Sequence, residues 1–168
     1  MKTPSLPVTL AVRFLRRHRI DFIPHFYPYQ NRGGAMQAAE ALGLPPESVV
    51  KTLVFDASGE TVLVLMHGDR EISTRQLARA MGVKRVAPCD VAAAERKTGY
   101  RVGGISPFGT REALAVWSES SIFKLERIFI NGGKRGFLVE IQPKVLMDVL
   151  GAHPVEAAAA GPKQESCT

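Results

Sequence analysis

The sequence predicts an α+β fold, a single compact domain with a mixed, barrel-like β-sheet surrounded by short helices. Three observations carry this prediction. Apolar residues alternate in some segments and recur with helical spacing in others, and the two kinds interleave along the chain. The strand-like segments pair off across short glycine-containing turns, as hairpins do. No G-x-G-x-x-G turn follows the first strand and no phosphate-loop lysine is present, which argues against a doubly wound nucleotide fold. A length of 168 residues fits one domain.

Each element has its own signal. Pro7 to His18 reads as a helix, because Val8, Ala11, Val12 and Leu15 make one apolar face. Arg13, Arg16 and Arg17 fall elsewhere on it, as a solvated outer face or as phosphate contacts. Asp21 to Tyr29, with Pro24 and Pro28, reads as a short edge strand. Asn31 to Gly34 is a turn, and Ala35 to Leu42 a helix stopped by Gly43. Val49 to Asp56 and Glu60 to His67 alternate around Ala57-Ser58-Gly59 and make a hairpin. Ser73 to Gln76 forms a capping box for a helix that Gly82 ends. Lys84 to Ala87 is a short strand, and Asp90 caps a helix running to Lys97. Glu112 to Trp117 is a strand broken by Ser118 to Ser121. Arg127 to Asn131 and Phe137 to Ile141 are strands joined by a glycine-rich basic loop. Pro143 opens a last helix that Gly151 closes. The domain is therefore expected over residues 1–151, and Ala-rich residues 152–168 as a poorly ordered tail.

Composition narrows the function. The chain carries 22 Lys and Arg against 16 Asp and Glu, a formal charge of +6, which favours an anionic partner, with nucleic acid ahead of membrane. No apolar run approaches the ~20 residues of a membrane span. Cys89 and Cys167 lie far apart, and His18, His25, His67 and His153 form no metal motif, so neither a metal nor a cofactor is expected. A reducing, cytoplasmic compartment fits this cysteine usage.

Four groups of residues could carry chemistry. Gly99 to Gly109 packs glycines, Ser106 and Pro107 into one segment, whose N–H groups suit an oxyanion or phosphate oxygen, or which is an ordinary tight turn. Lys51 shares a strand face with Val49, Leu53 and Phe55, where its charge needs a partner or must snorkel to solvent. Asn131 to Gly136 is a second basic, glycine-rich loop, suited to grip a phosphate or simply solvated. Tyr27 and Tyr29 could stack on a base or pack at the sheet edge. No Ser/His/Asp or Cys/His grouping stands out, and Ser106 lacks the setting of a nucleophile elbow. An enzyme built from these parts works by positioning and electrostatics.

Taken in order, Met1-Lys2-Thr3-Pro4, Ala38 to Gly43, Val50-Lys51-Thr52-Leu53, Thr98 to Gly109 and Gly132 to Gly136 resemble the YbaK/EbsC family of aminoacyl-tRNA deacylases, related to the editing domain of prolyl-tRNA synthetase. The likeness spans roughly residues 1–151. It implies that family's fold and the clearance of mischarged tRNA, most typically Cys-tRNA(Pro). It implies Lys51 as the essential residue and Thr52 and Tyr27 as site-lining. The run Gly103, Gly104, Ile105, Ser106 and Pro107 would turn its backbone to the aminoacyl carbonyl. Asn131, Gly132, Gly133, Lys134 and Arg135 would join the binding surface. The substrate's own thiol would attack its carbonyl, with no protein nucleophile. Partners implied are the acceptor end of aminoacyl-tRNA and a prolyl-tRNA synthetase. Gly34 stands where phenylalanine is usual, Asn131 where serine is common, and Leu138 where an acid occurs. These departures open the alternatives of Ala- or another small aminoacyl-tRNA(Pro), or of a non-catalytic tRNA-binding module.

Overall fold

A computed structural model describes residues 4–160. In chain order its helices and strands are α1 (Leu10–Arg17), β1 (Ile23–Phe26), α2 (Gly34–Leu42), β2 (Val49–Ala57), β3 (Glu60–His67), α3 (Thr74–Met81), β4 (Val86–Pro88), α4 (Val91–Thr98), β5 (Ala115–Glu119), β6 (Ile128–Lys134), β7 (Phe137–Ile141), α5 (Lys144–Leu150) and β8 (His153–Val155). The strands form one mixed sheet in the order β1-β7-β6-β2-β3-β5-β8, with β4 added to β2. The α+β fold with a mixed sheet is thus as the sequence predicts. The hairpins β2–β3 and β6–β7 are antiparallel, whereas β2–β6, β3–β5 and β5–β8 are parallel.

Local chemistry explains the most regular elements. In β2–β3, Ala57 pairs with Glu60, leaving Ser58 and Gly59 as a two-residue turn. Both have positive φ, 50° and 96°, the backbone that a right-twisted hairpin requires. Ser73 accepts a hydrogen bond from Gln76 N–H and Asp90 from Ala93 N–H, so both predicted caps start their helices. In α1, Ala11, Val12 and Leu15 are fully buried, while Val8, ahead of the helix, is 60% exposed. Burial of Val12 and Leu15 stabilises the docked helix by about 1.5–3 kcal/mol each.

The sheet separates three apolar clusters. The largest joins α1, α5 and the Gly-rich loop to Val50, Leu63, Leu65, Ile130 and Val139. On the other side of the hairpin, Phe55, Val62 and Val64 pack on Leu77 and Ala78 of α3 and on Val155 and Ala157. The third sets Ala38 and Ala39 of α2 against Val49, Phe129 and Leu138.

Two sequence expectations are corrected. Residues 152–160 are not a poorly ordered tail. β8 pairs in parallel with β5, Val155 and Ala157 are buried, and Ala157 N–H donates to the Glu119 carboxylate at 2.8 Å. Alanine-rich sequence around His153-Pro154 has no strand pattern of its own, and the strand exists because β5 offers it an edge. The rest of that expectation, residues 161–168 with Cys167, lies outside the described residues. Ser118 and Glu119 continue β5, and the break falls later, at Ser120–Lys124. No helix among the described residues is long and apolar enough to cross a membrane.

Candidate active site

The sheet is split where the site lies. Along one edge of β2, β6 pairs with Val49 and Val50, and β4 pairs with Phe55 to Ala57. Between them, among the described residues, only Cys89 N–H reaches β2, donating to Val54 O at 3.0 Å. Backbone groups on a strand point to alternate sides. Because Val54 O points into the split, the N–H and C=O of Thr52 point there too, with neither neighbouring strand opposite them.

This split is part of a cavity of about 440 Å³, a size that holds a small organic ligand. Its floor is Val49 to Val54 of β2. Ala35 and Ala38 of α2, Val91 and Ala94 of α4, and Val102, Gly103 and Ile105 of the Gly-rich loop form its sides. Tyr27, Tyr29, Asn131 and Leu138 complete it from the β1 and β6–β7 side.

Of the residues that the sequence singled out, Lys51, Thr52, Tyr27, Gly103, Ile105 and Asn131 line this one cavity. Gly104, Ser106, Pro107, Gly132, Gly133, Lys134 and Arg135 do not. Gly104 is buried and its N–H is committed to Arg101 O at 2.8 Å, so it has no free donor to offer. Ser106 is fully buried and accepts from Phe108 N–H, and Pro107 is buried beside it. Both hold the loop in shape. Gly132 lies against the Phe137 ring, where any Cβ would collide.

Lys51 takes the partnered form of the two readings. Its side chain is 19% exposed, and its Nζ lies 3.3 Å from Glu71 Oε1. Glu71 is 86% exposed, so the pair is a surface pair of about 0–1 kcal/mol, which an incoming anion can exchange. Glu71 was invisible to sequence reasoning, because nothing local marks a carboxylate 20 residues away as the partner of Lys51.

The Gly-rich loop is tied down on three sides. Glu95 accepts from Val102 N–H at 3.1 Å, Arg135 Nε donates to Val102 O at 2.9 Å, and Asn131 Nδ2 donates to Gly103 O at 3.1 Å. Asn131 Oδ1 meanwhile accepts from Gly133 and Lys134 N–H. The basic hairpin therefore acts on the cavity by holding the loop. Gly103 has φ +91°, and a Cβ there would sit 2.5 Å from Tyr29 Oη, so the loop can lie this close to Tyr29 only as glycine. Its N–H makes no hydrogen bond among the described residues.

The rest of the wall sets polarity. The Arg135 guanidinium stacks 5.3 Å above the Tyr29 ring. Burial pushes the Tyr27 hydroxyl above the usual phenol range. Burial also pushes the Cys89 thiol up, with Asp90 adding to it, which keeps the thiol protonated at neutral pH. Thr52 Oγ1 is buried without a hydrogen-bond partner among the described residues. Gly34 and Leu138, two of the departures, both line the cavity, and Leu138 is paired in register with Asn131. No group of three or more metal-ligating side chains exists among the described residues.

This geometry suits a carbonyl or phosphate ligand, met by an ammonium, an unbonded loop N–H and an open strand edge. Comparison with known proteins agrees in kind. Residues 32–149 match the family model described as the aminoacyl-tRNA editing domain. The chain belongs to that family. A relative from Enterococcus faecalis, provisionally named Cys-tRNA(Pro)/Cys-tRNA(Cys) deacylase EbsC, is 28% identical over 151 residues, covering 88% of this chain and 92% of the relative. A proline–tRNA ligase from Desulfotalea psychrophila is 31% identical over 96 residues, 57% of this chain and 16% of the ligase. A solved structure provisionally described as a trans-editing enzyme for prolyl-tRNA synthetase superposes with a TM-score of 0.80 at 23% identity, covering 93% of this chain and all of that one. The editing-domain fold and the YbaK-like resemblance are thereby established.

Proposed function

We propose that this editing domain is a trans-editing deacylase that clears mischarged tRNA, with Cys-tRNA(Pro) as its substrate. The observation that carries the reading is the convergence of Lys51, Gly103 and the open edge of β2 on one cavity. The name of the Enterococcus relative supports the choice of aminoacyl group. In this reading Lys51 gives up Glu71 and holds the 3′-terminal nucleotide through its phosphate. The N–H of Gly103 donates to the ester carbonyl oxygen as negative charge develops there. A positioned donor of this kind contributes about 3–4 kcal/mol in other enzymes.

The reaction needs no protein nucleophile. The substrate's cysteinyl sulfur attacks its own carbonyl carbon, forming a C–S bond as the ester C–O bond breaks. The thiol proton ends on the departing 3′ oxygen of tRNA. A cyclic thioester leaves, and water opens it to free cysteine. Cys89 is held protonated by burial, and the negative charge of Asp90 beside it disfavours the thiolate further, so it is not an activated nucleophile.

A second reading has one observation in its favour. Gly34 and Leu138 give the cavity an open, apolar wall where an aromatic and an acid are usual. Such a wall suits Ala-tRNA(Pro) or another small aminoacyl ester, hydrolysed by water. Prolyl-tRNA synthetase is the expected partner in either case, since a cavity of this size grips the aminoacyl end and reads little of the tRNA.

Single-turnover deacylation of Cys-, Ala- and Ser-tRNA(Pro) tests the proposal. Cys-tRNA(Pro) is expected to be cleared fastest, and Lys51→Ala to slow it at least a hundredfold. Faster clearance of the alanyl ester, which has no thiol, would establish the second reading. Decay of all three esters at the spontaneous rate would overturn both.

A further inference from the structure

We propose that the groove between α3 and β4 is a second nucleic-acid contact, a sequence-independent seat for the phosphodiester backbone of the tRNA whose 3′ end occupies the main cavity. The groove encloses about 400 Å³. Arg75 and Arg79 of α3 line it from one side, and Lys84 and Arg85 from the turn into β4. All four are exposed, and none of their cationic side chains forms an ion pair or hydrogen bond among the described residues; Arg85 meets Ser58 Oγ through its backbone alone. Arg75 and Arg79 sit four apart on one helix face, where like charges destabilise the helix. Four unpaired cations around one concavity repel one another, and a multivalent anion removes that repulsion.

The lining selects the class of anion. No aromatic side chain among the described residues borders the groove, so a free nucleotide finds nothing there to stack its base on. None of the exposed large apolar side chains among the described residues borders it, so a membrane finds no group there to insert. Arginine forks without base-edge readers fit a repeated phosphate, which positions a nucleic acid without reading its sequence.

Placement links the groove to the main cavity. Lys51, Leu53 and Phe55 alternate onto one face of β2, and Leu53 and Phe55 pack with Leu77 and Ala78 of α3. The groove therefore lies on the face that carries Lys51. Val86, at its edge, is the register partner of Ala57, six residues along β2 from Lys51. At ~3.3 Å per residue that is about 20 Å. With ~3.4 Å of axis per phosphate in each strand, the reach is about six nucleotides, into the helical stem beyond the single-stranded 3′ end.

This inference rests on the deacylase reading for the identity of the nucleic acid, and the test separates the two. Binding of uncharged full-length tRNA(Pro) is measured by fluorescence anisotropy across a salt series, for wild type, Arg79→Gln/Arg85→Gln, and a charge-matched control, Lys124→Gln/Lys144→Gln. Loss of two phosphate contacts weakens affinity on the order of tenfold and lowers the slope of log affinity against log salt by about two. The control is expected to bind as wild type. Hydrolysis of a short ester, an aminoacyl trinucleotide ending in CCA, is expected to be unchanged in the groove variant, because that substrate cannot reach it. Unchanged tRNA affinity and slope would overturn the proposal, as would an equal loss in the control. Retained tRNA binding with lost retention on prolyl-tRNA synthetase would overturn it in favour of an acidic protein partner. Failure of the wild type to turn over any ester would overturn the deacylase reading alone, and the binding series would still decide the groove.

Discussion

Asn131 offers the sharpest test of how the loop is held. Its amide makes three hydrogen bonds, accepting from Gly133 N–H at 2.7 Å and Lys134 N–H at 3.2 Å and donating to Gly103 O at 3.1 Å. At about 0.5–1.5 kcal/mol net each, Asn131→Ala should cost about 3 kcal/mol. For a domain of this size that lowers Tm by roughly 6–12 °C. The informative variant is Asn131→Asp. It keeps both accepted bonds, and so the shape of β6 at Gly133 and Lys134, where its register against β7 shifts, but sets a carboxylate oxygen against Gly103 O. Its stability should fall by only about 1–3 kcal/mol. Its rate should fall about a hundredfold, because roughly 1 Å of misplacement at a positioned group costs that much. Thermal unfolding and single-turnover deacylation of the same preparations read the two quantities. An aspartate variant with an unchanged single-turnover rate would refute the idea that Asn131 positions Gly103, whatever its Tm.

Three further outcomes are expected. Glu71→Gln frees Lys51 of its competitor, so kcat/KM on tRNA esters should rise a few-fold at low salt, with stability changed by less than about 1 kcal/mol; a tenfold fall would mean that the carboxylate takes part in the reaction. Thr52→Val removes an unpartnered buried hydroxyl at nearly constant volume, so stability should hold or rise by about 1 kcal/mol while deacylation slows; equal activity in the two forms would show that the hydroxyl never meets substrate. Cys89→Ser should deacylate within about threefold of wild type. Because the folded Cys89 pKa is raised above its ordinary 9.0, the thiol stabilises the fold below that pH, and the contribution disappears as pH rises through the folded value. Chemical unfolding at pH 7 and pH 10 should therefore show a smaller alkaline loss for Cys89→Ser than for wild type.

How far the sequence could be read depended on whether a signal was local. The β2–β3 hairpin was legible because alternation and a two-residue turn lie in one continuous run, and the caps at Ser73 and Asp90 because a capping bond spans three residues. Lys51 was legible as a charge on an apolar face. Its partner was not, since the loop holding Glu71 is positioned by residues far away in sequence. Asn131 was marked as a contact for substrate, yet its amide reaches across 28 residues to hold another loop, which no spacing rule encodes. The expected N–H of Gly104 failed for a related reason. A glycine-rich run predicts a tight turn but not which of its amides closes that turn, and Gly104 is the one bonded to Arg101 O. The split in the sheet was wholly hidden, because it arises from where β6 and β4 stop rather than from anything in β2.

The segment that follows β8 has a mechanical role. Ala157 O accepts from Ser73 N–H at 2.7 Å, Ala159 N–H donates to Glu71 O at 2.8 Å, and Arg70 reaches Ala159 O at 2.9 Å. The segment after α5 thus straps down the loop that presents the counter-ion of Lys51, and Ser73 at the start of α3. Trimming the protein back to Gly151 would strip that strap, leave the Glu119 carboxylate without the amide it binds, and set Glu71 adrift. An engineer seeking a minimal version should cut no earlier than the residue after Ala159, and a tag belongs beyond that point.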